Sequence, residues 1–341
     1  MEFSGLIRDY QVNRLLTDEE KLHHLKQSQR LELEPRYQLS VVKLNSTYLE
    51  SIDKWFGWKG LLTAVAIIVI AIFASGLFGM VYVTLTSPPS LRPASDGWLI
   101  CTVVAVMILP VIAGAIWLLK KESFAYTHYP MRFDRKNRMV HVFRKNGTVL
   151  SVRWSDVFFT LGHMPQWNEW EVRGHVLASD KVTIRETFAL SYVGSIDAAI
   201  AAPGSVRHSS DDFVRAHWEF IRRYMEDGPQ DVVNQIQFCM PVDKRREAFR
   251  VGAERVFANF AGAPFVIYWA MFPLCLVVSM FRWLAMRTSK VPQWPSDVEA
   301  GCMVEPDDPY AIEGTLTGER TAVFPKAALD ADVHFCAPLH G

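Results

Sequence analysis

The 341-residue chain lacks the short motifs whose spacing carries a known chemistry. It contains no GxSxG, no HExxH, no GxGxxG, and no GxxxxGK followed by Ser or Thr. These motifs mark serine hydrolases, zinc proteases, dinucleotide-binding folds and phosphate-binding loops, respectively. We therefore predict a protein that is not an enzyme and needs no cofactor.

A net charge is also missing, because 36 Lys and Arg residues balance 36 Asp and Glu residues. Chains that bind nucleic acid usually carry a basic excess that attracts the phosphate backbone. We therefore expect no nucleic-acid partner. The charge is nevertheless uneven, since the segment 288–341 forms an acidic C-terminal tail.

Cysteine is scarce, with five residues and no CxxC pair, so the sequence gives no support to a metal site. Cys302 and Cys336 could form a disulfide if their segment lay outside the cytoplasm. Residues 1–50 are polar and have no apolar stretch near their start. We therefore expect no cleavable signal peptide.

What the chain does have is two long apolar runs without a charged residue, 61–86 and 98–119. About 20 apolar residues suffice for a helix to cross the hydrocarbon core of a membrane. The segment 57–120 is therefore predicted to be a transmembrane helical hairpin. A third, weaker run lies within 263–287 and contains Pro273. We expect this run to span the membrane, with a re-entrant or surface helix as the alternative.

Basic residues near the ends of the hairpin predict its orientation. Lys54 and Lys59 precede the first run. Two lysines follow the second run, whereas the loop between the runs holds only Arg92. Because basic residues favour the cytoplasmic side, we predict a multi-pass membrane protein with a cytoplasmic N-terminus and central domain. The residues expected to set this topology or to contact lipid headgroups are Lys120, Lys121, Lys244, Arg245 and Arg246.

The segment 1–56 is predicted to be a cytoplasmic helical segment. Thr17 followed by Glu20 has the capping-box pattern, in which each side chain binds the backbone of the other residue. Leu22 and Leu25 continue an apolar stripe at helical spacing. A short extended piece would then lead to the membrane.

The central segment, 121–230, changes to a hydrophobic period of two, which predicts β-strands. Asn146–Gly147 lies between two alternating segments, a pattern typical of a type I′ hairpin turn. A second hairpin is expected around Asp180, and a helix is expected to begin at Ser210. This order predicts an antiparallel sheet followed by a helix, consistent with a roll of the pleckstrin-homology type. A basic helical linker, 231–262, would follow.

An aromatic stretch between the two predicted hairpins is the candidate for binding a protein partner. Trp167 and Trp170 lie there beside Glu169 and Glu171. Large aromatic side chains are favoured anchors at protein interfaces. These four residues could form an exposed recognition loop, or they could cover one end of the sheet.

Together these segments predict an α+β membrane protein with an N-terminal transmembrane hairpin, a sheet-plus-helix cytoplasmic domain and a third apolar helix near the C-terminus. Several strings resemble an uncharacterised family of bacterial membrane proteins, DUF6708. They are YPMRFDRKNRMVHVFR at 129–144, VLSVRWSDV at 149–157, WEFIRRYMEDGP at 218–229 and the PxWP…C…DPY arrangement at 292–310. The resemblance implies no catalytic residue. Members of the family often occur near type VI secretion genes, which implies a partner among the effectors or apparatus components of that system.

Three classes of function follow. The favoured class is a non-enzymatic protein anchored in the lipid bilayer that binds a protein partner, as an accessory or immunity component linked to type VI secretion. The alternatives are a pore-forming effector toxin and a membrane-bound enzyme of unrecognised type. Pore-lining helices usually carry polar or ionisable residues on one face. The two clear runs offer small residues that suit helix packing instead. Homo-oligomerisation is left open.

Overall fold

The elements of secondary structure come from a computed structural model, which describes residues 10–88, 94–164, 169–190, 210–236, 238–258 and 265–314. The strands are β1 (Arg14–Leu15), β2 (Val41–Leu44), β3 (Tyr48–Ser51), β4 (Met131–Asp134), β5 (Met139–Phe143), β6 (Val149–Arg153), β7 (Val157–Met164), β8 (Glu169–Leu177), β9 (Thr183–Ala189) and β10 (Ile312–Glu313). The helices are α1 (Asp18–Leu22), α2 (Leu61–Thr86), α3 (Ala94–Ser123), α4 (Ser210–Glu226), α5 (Phe249–Ala258), α6 (Phe265–Thr288) and α7 (Ser296–Gly301).

The strands form two antiparallel sheets rather than one. The six-stranded sheet has the order β10-β2-β3-β4-β5-β6, and the four-stranded sheet has the order β1-β9-β8-β7. The antiparallel pairing that the sequence predicts is confirmed. Strand β7 was not predicted from the sequence. Its successive residues Phe159, Thr160 and Leu161 are all buried, so it shows none of the alternation that reveals a half-buried strand.

Helices α2 and α3 are inserted between two neighbouring strands of the six-stranded sheet. Ser51 of β3 pairs with Met131 of β4 across this insertion. The segments 1–56 and 121–230, which the sequence predicts as separate units, therefore both contribute strands to this sheet. The sequence gives little sign of this arrangement. Strands β2 and β3 have only four residues each, and β3 pairs with β4, which is distant along the chain.

Most described residues of segment 1–56 are not helical, which differs from the helical segment that the sequence predicts. The capping box is confirmed, since Thr17 Oγ1 accepts from Glu20 N at 3.2 Å and Glu20 Oε2 accepts from Thr17 N at 2.9 Å. Helix α1 nevertheless ends at Leu22. The reason is a competing bond, because Leu25 N donates to the carbonyl of Phe159 in β7 at 2.8 Å.

The two sheets and α4 share one hydrophobic core. Near its centre the ring centroid of Trp218 in α4 lies 5.5 Å from that of Trp154 and 4.5 Å from that of Phe159. Ile221 and Met225 continue the buried face of α4. The predicted helix is therefore confirmed, and its apolar spacing is the spacing of the residues that it buries. The pleckstrin-homology-like arrangement stays a prediction.

The β5–β6 hairpin is confirmed with a different turn. Gly147 has a φ of +84°, whereas Asn146 does not adopt a positive φ. A type I′ turn needs a positive φ at two successive residues. Here the connection is longer, because Arg144 N donates to Thr148 O at 2.8 Å. One left-handed residue is then enough, and the Asn146 side chain accepts from Thr148 N instead.

Helices α2, α3 and α6 are each long and apolar enough to cross a membrane, judged by length and composition. They pack on one another. Between α2 and α3, Thr84 Oγ1 lies 3.2 Å from the Sγ atom of Cys101. Large apolar side chains nevertheless remain exposed along all three helices, and they include Ile72, Phe78, Val83, Val106, Met107 and Val266. A continuous apolar surface of this kind marks a site of contact with protein or lipid.

The segment 231–262, predicted to be a helical linker, is largely irregular in its described residues before α5. Helix α5 then runs antiparallel to α6. Near the start of α5, Gly252 lies against the Arg282 side chain of α6. Near the end of α5, the ring centroid of Phe257 is 5.2 Å from that of Phe272. The two helices therefore form a second helical hairpin.

Part of the C-terminal tail belongs to the six-stranded sheet or packs against it. Helix α7 lies against the six-stranded sheet, where Val298 and Cys302 pack on Tyr48. Strand β10 pairs with β2 at the edge of the same sheet. The tail residues up to 314 therefore belong to the same folded unit as the N-terminal strands. The predicted disulfide partner Cys336 lies outside the described residues.

Candidate functional site

The apolar helices meet the sheets at a buried polar cluster, called the junction below, formed by Lys59, Glu122, Glu247 and Arg282. The Glu122 carboxylate caps the start of α2, because it accepts from Gly60 N at 2.9 Å and from both Thr63 N and Thr63 Oγ1 at 2.6 Å. Lys59 Nζ donates to the Glu122 carbonyl at 3.1 Å. The end of α3 is thereby bonded to the beginning of α2.

Arg282 ties α6 into the same cluster. Its Nε and Nη2 atoms donate to the two carboxylate oxygens of Glu247 at 2.6 and 3.0 Å. Its Nη1 atom donates to the carbonyls of Phe56 and Lys59 at 2.9 and 3.0 Å. The side chains of Glu247 and Arg282 are each 1% exposed. A bidentate pair in which all three guanidinium nitrogens donate is a geometry that offsets the cost of burying two charges.

A second arginine, Arg255 of α5, lies beside the junction. Its guanidinium is 5.0 Å from the ring centroid of Phe56. Burial, together with the nearby charge of Arg282, lowers the pKa of Arg255 to about 9. Arg255 thus stays a cation at neutral pH, and its aromatic contact offsets part of its desolvation.

The face of the six-stranded sheet under α7 carries a second buried cluster, called the sheet-face cluster, formed by Tyr48, Glu50, Arg132 and Trp294. Arg132 Nε and Nη2 donate to Glu50 Oε2 at 3.0 and 2.7 Å. The guanidinium lies 4.3 Å from the Tyr48 ring centroid and 4.7 Å from that of Trp294. Its Nη1 atom has no hydrogen-bond partner among the described residues.

A cavity of about 370 Å³ opens beside the sheet-face cluster. Charged residues of both signs lie around it, namely Glu50, Asp243, Lys244 and Glu299, together with His128 and Trp294. Burial raises the pKa of Glu50, and the neighbouring Arg132 opposes that shift. The cavity could hold a small polar or charged molecule.

A third cluster joins Asp134 of β4, His141 of β5 and Cys302, which follows α7. One potential ligand atom from each residue lies within 4.8 Å of the others, and all three residues are buried. Spacing along the chain gave no sign of this cluster, because Cys302 is far from the other two. Alternation along β4 and β5 could have placed only Asp134 and His141 on one sheet face.

The residues predicted to bind a partner are only partly placed. Trp167 and the side chain of Glu169 lie outside the described residues. Trp170 belongs to β8 and is half-buried, with its ring centroid 4.9 Å from that of His163 and 5.8 Å from that of His23. It therefore packs along the sheet and is not in a loop, although part of its ring stays accessible.

Glu171 is fully buried, which excludes it from an exposed recognition loop and agrees with the alternative that these residues pack against the sheet. Its carboxylate forms ion pairs with Lys54 and with Arg173, the latter at 2.7 Å, and accepts from Tyr10 Oη at 2.8 Å. Burial by itself would raise the pKa of Glu171, but the two cations outweigh burial and lower it. Strand alternation explains why Trp170 stays partly accessible while Glu171 is buried, since the two side chains point to opposite faces.

The predicted basic residues also differ from one another. Lys120 and Lys121 are exposed at the end of α3, and Lys121 Nζ lies 5.3 Å from the Trp117 ring centroid. Lys244 pairs with Glu299 at 3.3 Å. Arg245 donates to the Pro241 carbonyl at 3.0 Å and also to Gly314, and Arg246 donates to the Ser289 carbonyl at 3.3 Å. The last three residues are thus engaged within the protein.

Comparison with known proteins places the chain in a family without assigning it an activity. No curated protein and no solved structure matches it. Residues 107–306, more than half of the chain, match the model of a family of unknown function, DUF6708. This match agrees with the resemblance seen in the sequence motifs. The chain belongs to the DUF6708 family.

Proposed function

We propose that the protein is a non-enzymatic binding protein anchored in the bacterial inner membrane, with α2, α3 and α6 in the lipid and both sheets in the cytoplasm. The exposed apolar side chains of these helices support this proposal, because lipid would remove them from water at about 25 cal/mol per Å². Exposed groups of this kind include Phe78 at 73% and Val266 at 76% exposure.

The observation that carries the proposal is the junction. Here Arg282 connects α6, through Glu247 and the Lys59 carbonyl, to the segments that lead into α5 and α2. A pore-forming toxin must rearrange its helices during insertion, and separating a buried pair would cost about 3–5 kcal/mol. A fixed anchor is therefore favoured over a toxin.

The second helical hairpin defines the topology within this proposal. Helix α5 begins at the junction, and α6 returns to it at Arg282. The chain that follows α6 forms β10, which pairs with β2. The chain therefore enters and leaves the lipid on the same side. This geometry favours the re-entrant alternative for the segment 263–287 over a single crossing.

Orientation and partner complete the proposal. Lys120 and Lys121 are exposed at the junction end of α3, where anionic headgroups would attract them and the positive-inside bias would place them in the cytoplasm. The sheets, held at a fixed distance from the bilayer, would present Trp170 to a protein partner. We propose that this partner is an effector or apparatus component of a type VI secretion system, for which the protein is an accessory or immunity component.

Cysteine labelling of the full chain in a bacterial host tests anchorage and orientation. In a background without native cysteines, Ser87→Cys marks the end of α2 distant from the junction, and Lys136→Cys marks the exposed β4–β5 turn. We expect a membrane-impermeant maleimide to label the first from outside and the second only after permeabilisation. The protein should resist alkaline carbonate extraction.

Other outcomes contradict separate parts of the proposal. Extraction by carbonate would contradict membrane anchorage, and labelling of Lys136→Cys from outside would reverse the orientation. Killing or depolarisation of the host when the protein is directed to its membrane would favour the toxin alternative. Proteins captured with the full chain and identified by mass spectrometry test the proposed partner class.

A further inference from the structure

The cluster of Asp134, His141 and Cys302 has the composition of a metal site. A carboxylate, an imidazole and a thiolate together match the ligand preference of zinc, since thiolate disfavours magnesium and calcium. Zinc ligands at 2.0–2.3 Å in a tetrahedron lie about 3.3–3.8 Å apart. The Cys302 Sγ atom is already 3.5 Å from Asp134 Oδ2. Since the ligand atoms all lie within 4.8 Å of one another, a contraction of about 1.5 Å at most would bring all three to zinc.

The chain around the cluster holds two of these residues in place. Asn137 donates to both oxygens of Asp134, from its backbone N at 2.9 Å and from Nδ2 at 2.8 Å. The same Nδ2 atom donates to the carbonyl of Gly301, next to Cys302, at 2.9 Å. Thr47 Oγ1 donates to the carbonyl of Met303, on the other side, at 3.3 Å. Outer contacts of this kind orient the ligands of natural metal sites.

His141 has an outer partner as well. Its Nδ1 atom lies 2.8 Å from Ser151 Oγ on the neighbouring strand β6. A proton held at Nδ1 and donated to Ser151 leaves the lone pair at Nε2. Metal-bound histidines commonly use one ring nitrogen for the metal and the other for such a hydrogen bond.

Cysteine binds zinc as the thiolate, so binding at Cys302 requires the loss of one proton from the thiol. Zinc bound to a thiol displaces its proton. The exchange is therefore Zn²⁺ plus thiol giving zinc thiolate plus one proton released to solvent, with no change of oxidation state.

We propose that Asp134, His141 and Cys302 bind one zinc ion, with the fourth position left for water. The ion would clip the end of α7 to β4 and β5, and so fix the tail against the sheet-face cluster. This site is independent of the membrane anchor and of any partner, because all three ligands lie in the sheets and the tail.

Metal content of the purified full chain in detergent tests the site. After incubation with excess zinc and removal of the unbound ion, we expect about one zinc per chain by elemental analysis. Cobalt substituted for zinc should give a thiolate-to-cobalt charge-transfer band. Protein that binds no zinc under these conditions overturns the proposal and leaves the cluster as a hydrogen-bonded group.

Variants locate the ion and separate ligand loss from misfolding. Cys302→Ser and His141→Asn should each weaken zinc binding by more than about 100-fold, and Ser151→Ala by about 10- to 100-fold. Cys239→Ser is the matched control and should bind like the wild type. Circular dichroism without metal verifies that every variant is folded. Full zinc binding by both ligand variants would place the ion elsewhere and overturn the assignment.

Discussion

Two buried arginines anchor different parts of the molecule, and their surroundings differ. At the junction, Arg282 uses Nε, Nη1 and Nη2 for hydrogen bonds to Glu247 and to backbone carbonyls. In the sheet-face cluster, Arg132 has Glu50 on one side, aromatic rings on its faces, and an Nη1 atom without a partner among the described residues. The second lies beside the cavity that Glu50 and Trp294 line.

The difference separates a structural contact from a surface with unused binding capacity. A buried group with every donor satisfied stabilises one arrangement and has nothing left for a ligand. A buried donor without a partner carries a desolvation cost of about 1–3 kcal/mol, which a ligand or water could relieve. We therefore expect the junction to tolerate substitution worst and the sheet-face cluster to respond to solution conditions.

Arg282→Met should have the largest effect on stability. It removes the cation and leaves the Glu247 carboxylate buried without its partner, at a cost of about 3–5 kcal/mol. Thermal unfolding in detergent and the amount of protein in the membrane fraction measure this loss. Arg287→Met, an exposed position near the end of the same helix, is the matched control and should change stability by less than about 0.5 kcal/mol.

The double variant Arg282→Met with Glu247→Met sharpens this prediction. Because it removes both charges, we expect it to be more stable than Arg282→Met alone. Equal losses of stability for Arg282→Met and Arg287→Met would mean that the junction contributes no more to stability than an exposed charge does.

Gly60→Ala should cost about 3 kcal/mol, since Gly60 has a φ of +100° and an added Cβ would overlap the backbone of Arg282. The close approach of α6 to the start of α2 depends on this missing side chain. Gly76→Ala in the middle of α2 is the control, because nothing lies within 4 Å of an added Cβ there. Denaturation measures the stability of both variants. Equal stability of the two would contradict the close approach of α6 to Gly60.

Arg132→Met should cost less, about 2 kcal/mol at pH 7, because the Glu50 carboxylate borders a cavity that water can enter. The cost should also depend on pH. Burial already raises the pKa of Glu50 above its ordinary value of 4.5, and loss of Arg132 raises it further.

The sign follows from linkage. A carboxyl whose pKa is higher in the folded than in the unfolded state destabilises the fold as the pH rises above the unfolded value. The penalty of Arg132→Met should therefore be small below pH 4.5 and grow toward neutral pH. Thermal unfolding between pH 4 and 8 measures it, with Arg138→Met as the partly exposed control. A penalty that is constant with pH would contradict this account.

The fold was predictable where a signal is local and continuous. The apolar runs of α2 and α3, the apolar stripe of α4 and the turn at Gly147 were all predicted from neighbouring residues. Strands β2 and β3 were not, since a four-residue strand has little periodicity and the pairing of β3 with β4 depends on contacts across α2 and α3. The sequence therefore predicts elements better than the way in which they join.

The clusters were still less predictable. Lys59 was interpreted through its charge alone, and no motif in the sequence marked Glu122 or Arg282. Their meeting depends on the close packing of α2, α3 and α6. Likewise, Cys302 reaches Asp134 only because α7 folds back onto the sheet. No spacing rule connects residues that distant along the chain.

The smallest effect on folding should come from the exposed lysines of α3. Lys120→Gln with Lys121→Gln removes two charges that have water around them, so stability in neutral detergent should change by less than about 0.5 kcal/mol. In lipid nanodiscs, the proposed anchor predicts a different result. Anionic headgroups attract a nearby basic residue with about 1 kcal/mol each. Wild-type protein should therefore gain about 2 kcal/mol more stability than the variant from anionic lipid.

Salt and position make this last test specific. The gain should shrink at high ionic strength, where the screening length falls to about 3 Å at 1 M. Lys136→Gln is the control, because Lys136 is exposed in the β4–β5 turn. This turn follows the end of β4, whereas Ser51, which leads toward α2, pairs with the start of β4. An equal response of wild type, lysine variant and control to anionic lipid would place the end of α3 away from the headgroups, and the junction would then not lie at the membrane surface.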